Sequence, residues 1–227
     1  MSEQLAIAIA LDQKVTAIVY PAAKRAQAGI TLILGHGAGA GQTSGFMVSF
    51  ATALAARGIE TVTFNFLYME QGRRLPDPKD KLEGCYRAVI ETVAHRMHGH
   101  GRLAIGGKSM GGRIASQVAA GDVPDVTGLV LLGYPLHPPG KMDQLRAKHL
   151  SDIKAPMLFV QGSRDTFGTP DELRPIIKKL KAPAELFEVA GGDHSFKVLK
   201  SAGVAQEDVY EAVLDRIEQW LRATLAI

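Results

Sequence analysis

Three residues of this 227-residue chain have the types and surroundings for nucleophilic chemistry: Ser109, Asp165 and His194. Ser109 lies in Leu103-Ala104-Ile105-Gly106-Gly107-Lys108-Ser109-Met110-Gly111-Gly112-Arg113, where an apolar strand runs through G-x-S-x-G into a small-residue helix. That spacing sets a serine on a sharp strand-to-helix turn with its hydroxyl raised above a sheet, while Gly107 and Gly111 let neighbouring backbone pass close by. On those five residues alone, a glycine-rich helix start with an ordinary serine fits equally well. Two later segments tilt the balance. Val160-Gln161-Gly162-Ser163-Arg164-Asp165 puts a carboxylate just after a strand, and Gly191-Gly192-Asp193-His194-Ser195-Phe196 puts a histidine after the next. In these roles Ser109 is the nucleophile, and His194 takes its proton and returns it to the leaving group. Asp165 fixes the imidazole tautomer and stabilises its cation.

Other residues compete for these roles. Asp193 adjoins His194 in sequence and is poorly placed to orient its ring, so it reads as a turn residue or cap. His95, His98 and His100 sit at the polar end of a long helical stretch beside glycines, with no thiol or carboxylate constellation nearby; no metal is expected. The loop Gly35-His36-Gly37-Ala38-Gly39-Ala40-Gly41 follows an apolar strand, and its small residues let bare backbone approach a substrate. The amides of Ala38 and Met110 are the expected oxyanion donors, each worth about 3–4 kcal/mol of barrier; His36 reads as a structural member of the loop. Two phosphate-loop lookalikes fail. Gly35-x-Gly37-x-x-Ala40 is followed by further glycines instead of a helix, and the next strand ends in Asn65 where an acid is needed. Gly107-Lys108-Ser109 lacks the glycine that a phosphate cradle needs at Arg102.

Substrate contacts are less sharply marked. Tyr68 after one strand, Tyr134 and His137 after another, and Phe167 beside Asp165 are candidates for walls, each with core or loop packing as the plainer role. Arg73, Arg74 and Lys108 suggest an acyl or leaving group that carries negative charge, with internal ion pairs to Glu70, Asp77 or neighbouring acids as the alternative.

These residues need elements to hold them. Leu5 to Ala10 and Val15 to Tyr20 alternate as an antiparallel hairpin. Continuous apolar strands then follow at Ile30 to Leu34, Thr61 to Phe66, Leu103 to Ile105, Gly128 to Leu132, Met157 to Val160 and Glu185 to Val189. Helical stretches at Phe46 to Arg57, Pro78 to His98, Gly111 to Ala120, Pro170 to Leu180 and Gln206 to Ala223 separate them. Strands apolar throughout are buried on both faces, so the pattern predicts an α/β architecture: a mostly parallel central sheet with helices on both faces. The irregular pieces Leu67 to Asp77 and Tyr134 to Asp152 are candidates for the rim of a site outside the strand ends, and the second is too short for a large helical lid.

Composition bounds the rest. With 46% hydrophobic and 22% charged residues, the chain reads as one globular domain, 1–227. At this length folding buries roughly 70% of the unfolded surface. The 26 basic and 23 acidic side chains are interspersed, and the densest basic run, Lys178-Lys179-Leu180-Lys181, closes a helix, so no nucleic-acid partner is implied. Gly35, Gly37, Gly39, Gly41 and Gly45 break the one uncharged stretch long enough to span a membrane, and no membrane partner is expected. A lone cysteine, Cys85, and an N-terminus without a positive flank read as a cytoplasmic protein.

The sequence resembles the bacterial dienelactone-hydrolase-like α/β-hydrolases related to the testis-expressed and nonspecific-lethal-complex hydrolase-like proteins of animals. The resemblance runs from about Ile30 to the C-terminus. It rests on GHGAGA (35–40), FNFLYMEQGRRLPDP (64–78), GGKSMGGR (106–113), LGYPLHPPGK (132–141), QGSRDTFGT (161–169) and GGDHSF (191–196). It implies an α/β-hydrolase fold with minimal or no lid and triad positions at Ser109, Asp165 and His194. Serine stands where dienelactone hydrolases proper carry a cysteine nucleophile, which argues against that particular lactone. The expected function is a serine hydrolase without cofactor, acting on small-molecule esters of small or medium acyl groups; the alternative is a hydrolase-like protein-interaction module with little or no turnover.

Overall fold

The computed structural model describes residues 2–121, 123 and 125–225. Eight strands, β1 (Glu3–Ala10), β2 (Gln13–Tyr20), β3 (Ile30–Gly35), β4 (Glu60–Phe64), β5 (Arg102–Lys108), β6 (Val126–Leu132), β7 (Met157–Gly162) and β8 (Ala184–Val189), form one sheet in the order β1-β2-β4-β3-β5-β6-β7-β8. The opening hairpin pairs antiparallel and joins the sheet antiparallel through β2 and β4. Every later pairing is parallel. Six helices accompany it: α1 (Gly45–Ala56), α2 (Leu67–Glu70), α3 (Lys79–Arg96), α4 (Met110–Ala119), α5 (Pro170–Ile177) and α6 (Gln206–Leu225).

The period of two divides the strands between two cores. Ile33, Ile105, Leu131 and Phe159 point to one face, against Leu82, Tyr86 and Val89 of α3 and Ile114 and Val118 of α4. Leu34, Val130, Leu158 and Val160 point to the other, against Phe50 and Leu54 of α1 and Ile217 and Trp220 of α6. Covered on both sides, the central strands carry no polar face, which is why they read as unbroken apolar runs.

The expected strand Thr61 to Phe66 is shorter in the structure. It ends at Phe64 because the Phe66 amide donates to His36 Nε2 (3.1 Å) and is withdrawn from the ladder. The next residues wind into α2, so Leu67 to Asp77 is not wholly irregular. The connection from β6 to β7 holds a single 3₁₀ turn, Lys148–Asp152, and no helical lid covers the strand ends among the described residues. No described helix is long and apolar enough to cross a membrane.

Candidate active site

Ser109 joins β5 to α4. Its φ of 52° and ψ of −114° lie where a residue with a Cβ is strained, and two hydrogen bonds hold it there: its N–H donates to Leu132 O (2.9 Å) and its carbonyl accepts from Arg113 N–H (3.0 Å). The turn works because the end of β3, paired parallel beside β5, lies close against it; a Cβ on Gly111 would collide with the Gly35 carbonyl, and one on Gly107 would strike the same oxygen. Asp165 follows β7, ahead of α5, whose start is fixed by a capping box between Thr169 and Glu172 with Pro170 in the first turn. His194 follows β8 on a turn organised by Asp193, whose Oδ1 accepts from the amides of Ser195 (2.7 Å) and Lys197 (2.9 Å). Asp193 is thus the turn residue its position suggested.

These three strand ends bring the side chains into one line. His194 Nδ1 lies 2.7 Å from Asp165 Oδ2, and His194 Nε2 lies 2.8 Å from Ser109 Oγ. A carboxylate only accepts, so the proton sits on Nδ1 and Nε2 is left to accept from the Ser109 hydroxyl. Asp165 is 1% exposed and accepts two further hydrogen bonds: Oδ1 accepts from Phe167 N–H (2.8 Å), and Oδ2 also accepts from Gln161 Nε2 (2.8 Å). Gln161 is itself locked, its Oε1 accepting from Tyr134 N–H (2.8 Å) and its Nε2 also reaching Gly168 O (2.6 Å). The Phe167 ring, 4.3 Å from the His194 ring between centroids, limits its tilt. A hydroxyl held on the lone pair of a fixed imidazole can lose its proton as its oxygen attacks a carbonyl carbon.

His36 organises the loop after β3. Because its Nε2 accepts from Phe66 N–H, its Nδ1 carries the proton and donates to Gly37 O (2.8 Å). Burial holds this imidazole neutral, its pKa lowered to about 4 despite the carbonyl contact. The peptide between Gly37 and Ala38 is trans, so anchoring the Gly37 carbonyl turns the Ala38 N–H the opposite way. Neither the Ala38 nor the Met110 amide has a partner among the loop and cap hydrogen bonds of the described residues.

A cavity of about 540 Å³ opens on Ser109 and His194, walled by the ends of parallel strands and the loops that follow them. Of the residues expected from the sequence, Ala38, Lys108, Met110 and Phe167 line it. The others lie elsewhere. Tyr68 is fully buried with its ring 5.9 Å from that of His36. Tyr134 is buried and donates its hydroxyl to Arg146 O (2.7 Å). His137 is buried 3.1 Å from Glu172 Oε1. Arg73 pairs with Asp77 at 2.7 Å, the internal ion pair that was its alternative, and Arg74 stands outside the lining.

Lys108 is 8% exposed and faces no carboxylate within ion-pair distance among the described residues. Its ammonium lies 5.9 Å from the centre of the Phe46 ring. Burial lowers its pKa to about 8, against the opposing pull of Asp165 and Asp193. Among the wall and support residues that sequence reasoning missed are Gln161, Arg113, Phe46 and Arg146. Gln161 was signalled by a polar side chain at the end of an apolar strand, and Arg113 by its place one helical turn beyond Ser109. Phe46 and Arg146 had no local signal, because the packing of α1 and the path of the loop after β6 bring them to the cavity.

The fold agrees with the comparisons. The α/β-hydrolase domain family matches residues 28–222, and the chain belongs to it. Among solved structures it is similar to a dienelactone hydrolase from Anabaena variabilis, at 19% identity over 99% of this chain and 98% of that one with a TM-score of 0.77. It is also similar to an α/β serine hydrolase without a lid from Xanthomonas campestris, at 22% identity over 96% and 94% with a TM-score of 0.74. A serine hydrolase homologue from Coxiella burnetii aligns at 20% identity over 99% and 97% with a TM-score of 0.72. At these identities the likeness is one of fold.

Proposed function

We propose that the protein is a serine hydrolase of carboxylic esters of small or medium acyl groups, working through an acyl-enzyme. The supporting observation is the unbroken chain from Ser109 Oγ through His194 to Asp165, with contacts of 2.8 and 2.7 Å, at the mouth of a cavity. Ser109 Oγ attacks the ester carbonyl as its proton passes to His194 Nε2. The negative oxygen of the tetrahedral intermediate is received by the amides of Ala38 and Met110. His194 then protonates the departing alkoxide as the intermediate collapses to the acyl-enzyme. Water, deprotonated by His194, attacks the acyl carbon and releases the acid and Ser109. Asp165 keeps Nδ1 protonated throughout. Such chemistry requires no metal or organic cofactor.

The same proposal takes the chain as one domain acting in the cytoplasm, a residence consistent with a single cysteine and hence no internal disulfide. A p-nitrophenyl ester series from acetate to octanoate, run on wild type and Ser109→Ala, tests it. Turnover that peaks at one acyl length and vanishes in the variant is expected; turnover that survives in Ser109→Ala would refute it.

A further inference from the structure

Charge on the cavity wall is unbalanced. Four cations, Lys79, Lys108, Arg113 and Arg146, share that wall with one carboxylate, Asp77. Asp77 is held by Arg73 at 2.7 Å, although its second oxygen is buried without a partner. Lys79 is held by Glu83 at 3.4 Å. Arg113 and Arg146 have no carboxylate within ion-pair distance among the described residues, and Arg113 Nε is buried without any hydrogen-bond partner.

The main chain of both arginines is held by hydrogen bonds. The Arg113 amide donates to Ser109 O (3.0 Å), which sets its side chain one helical turn from the nucleophile. Arg146 donates its amide to Leu136 O (2.7 Å) and accepts the Tyr134 hydroxyl on its carbonyl (2.7 Å). Both side chains line the one cavity, where burial first and then Arg146 hold Arg113 below its ordinary value against the opposing pull of Tyr134 and Glu83, and the charge of Arg113 helps burial keep His149 neutral. Two like charges in a partly dewatered wall repel each other, and a shared anion relieves both.

We propose that Arg113 and Arg146 form a subsite for an oxyanion, a carboxylate or phosphate, carried by the substrate beyond its scissile ester. Two planar guanidinium forks suit either group through paired N–H donors. The assignment rests on the esterase reading for its substrate, and on the cavity wall for its anion.

The test uses three p-nitrophenyl esters of one length, the hydrogen glutarate, its neutral methyl ester and the corresponding phosphonate, on wild type, Arg146→Gln and Arg113→Gln/Arg146→Gln. Arg74→Gln, outside the cavity, is the control. Wild type and Arg74→Gln should favour one of the anionic esters over the neutral one by about tenfold or more in kcat/KM, and the ratio should fall towards one in the double variant. The anion preferred, carboxylate or phosphonate, names the source. In parallel, calorimetry with glutarate and with inorganic phosphate on Ser109→Ala, with and without the arginine changes, reads the subsite apart from turnover. Arginine-dependent binding without hydrolysis of any ester would keep the subsite and defeat the esterase reading. Equal kcat/KM for charged and neutral esters, or a preference that persists in the double variant, would overturn the subsite, as would absence of glutarate and phosphate binding.

Discussion

At the scale of single residues, the decisive feature is the set of three donors around Asp165. His194, Gln161 and the Phe167 amide all donate to it, so its carboxylate has one orientation and His194 one tautomer. Asp165→Asn presents an amide that can donate to Nδ1, which moves the imidazole proton to Nε2 and removes the base facing Ser109. Stopped-assay kinetics should show kcat reduced about 10³–10⁴-fold with little change in KM. Lys108 carries a prediction about stability. A buried ammonium lowered from the ordinary 10.5 to about 8 binds its proton less tightly in the folded chain than in the unfolded one. Its destabilising effect is therefore full below about pH 8 and fades as pH rises to 10.5. Lys108→Met should stabilise the fold by about 1–3 kcal/mol in denaturant melts at pH 7, with the gain disappearing at the alkaline end. The three residues of the hydrogen-bonded line were legible in the sequence because each follows a strand end, Ser109 and Asp165 after buried apolar strands and His194 after the half-exposed edge strand β8. Tyr68, Tyr134 and His137 follow strands too, yet the chain turns them into the interior, where Tyr134 and His137 tie loops together.

At the scale of elements, the turn between β5 and α4 depends on its clearance over β3. Gly111→Ala places a methyl group against the Gly35 carbonyl, and backbone cannot yield as a flexible side chain would. Loss of about 1–3 kcal/mol or more is expected in urea titration, together with loss of hydrolase activity disproportionate to the fraction unfolded, because the shift falls on Ser109. Strand and helix positions were readable to within a few residues, since burial on both faces writes itself as apolar runs. The exceptions have tertiary causes. Strand β4 stops at Phe64 and α2 begins at Leu67 because His36, thirty residues earlier, takes the Phe66 amide out of the ladder. No window of sequence contains both partners of that bond.

At the scale of the whole molecule, two cores flank one sheet, and the site sits where the strands end, with no helical lid over it among the described residues. Fold class followed from the alternation of strands and helices, whereas the cavity wall did not, because it is assembled from loops whose paths depend on every layer beneath them. His36 couples this assembly to pH. Lowered from 6.5 to about 4, it stays neutral in the folded chain while the unfolded chain takes up a proton, so stability falls as pH drops from about 6.5 to about 4 and levels below that. The contribution is about 3 kcal/mol for this buried ring. Urea midpoints should follow that course in a single cooperative transition, and His36→Phe should make it shallower, the remainder coming from His149, which burial also lowers to about 4. The central claim, that Ser109 is an activated nucleophile, is tested most directly by a fluorophosphonate probe read by intact mass and peptide mapping. The structure calls for one adduct per chain, on Ser109, and none on Ser109→Ala; a wild-type protein that stays unmodified, or a variant labelled to the same extent, would contradict it.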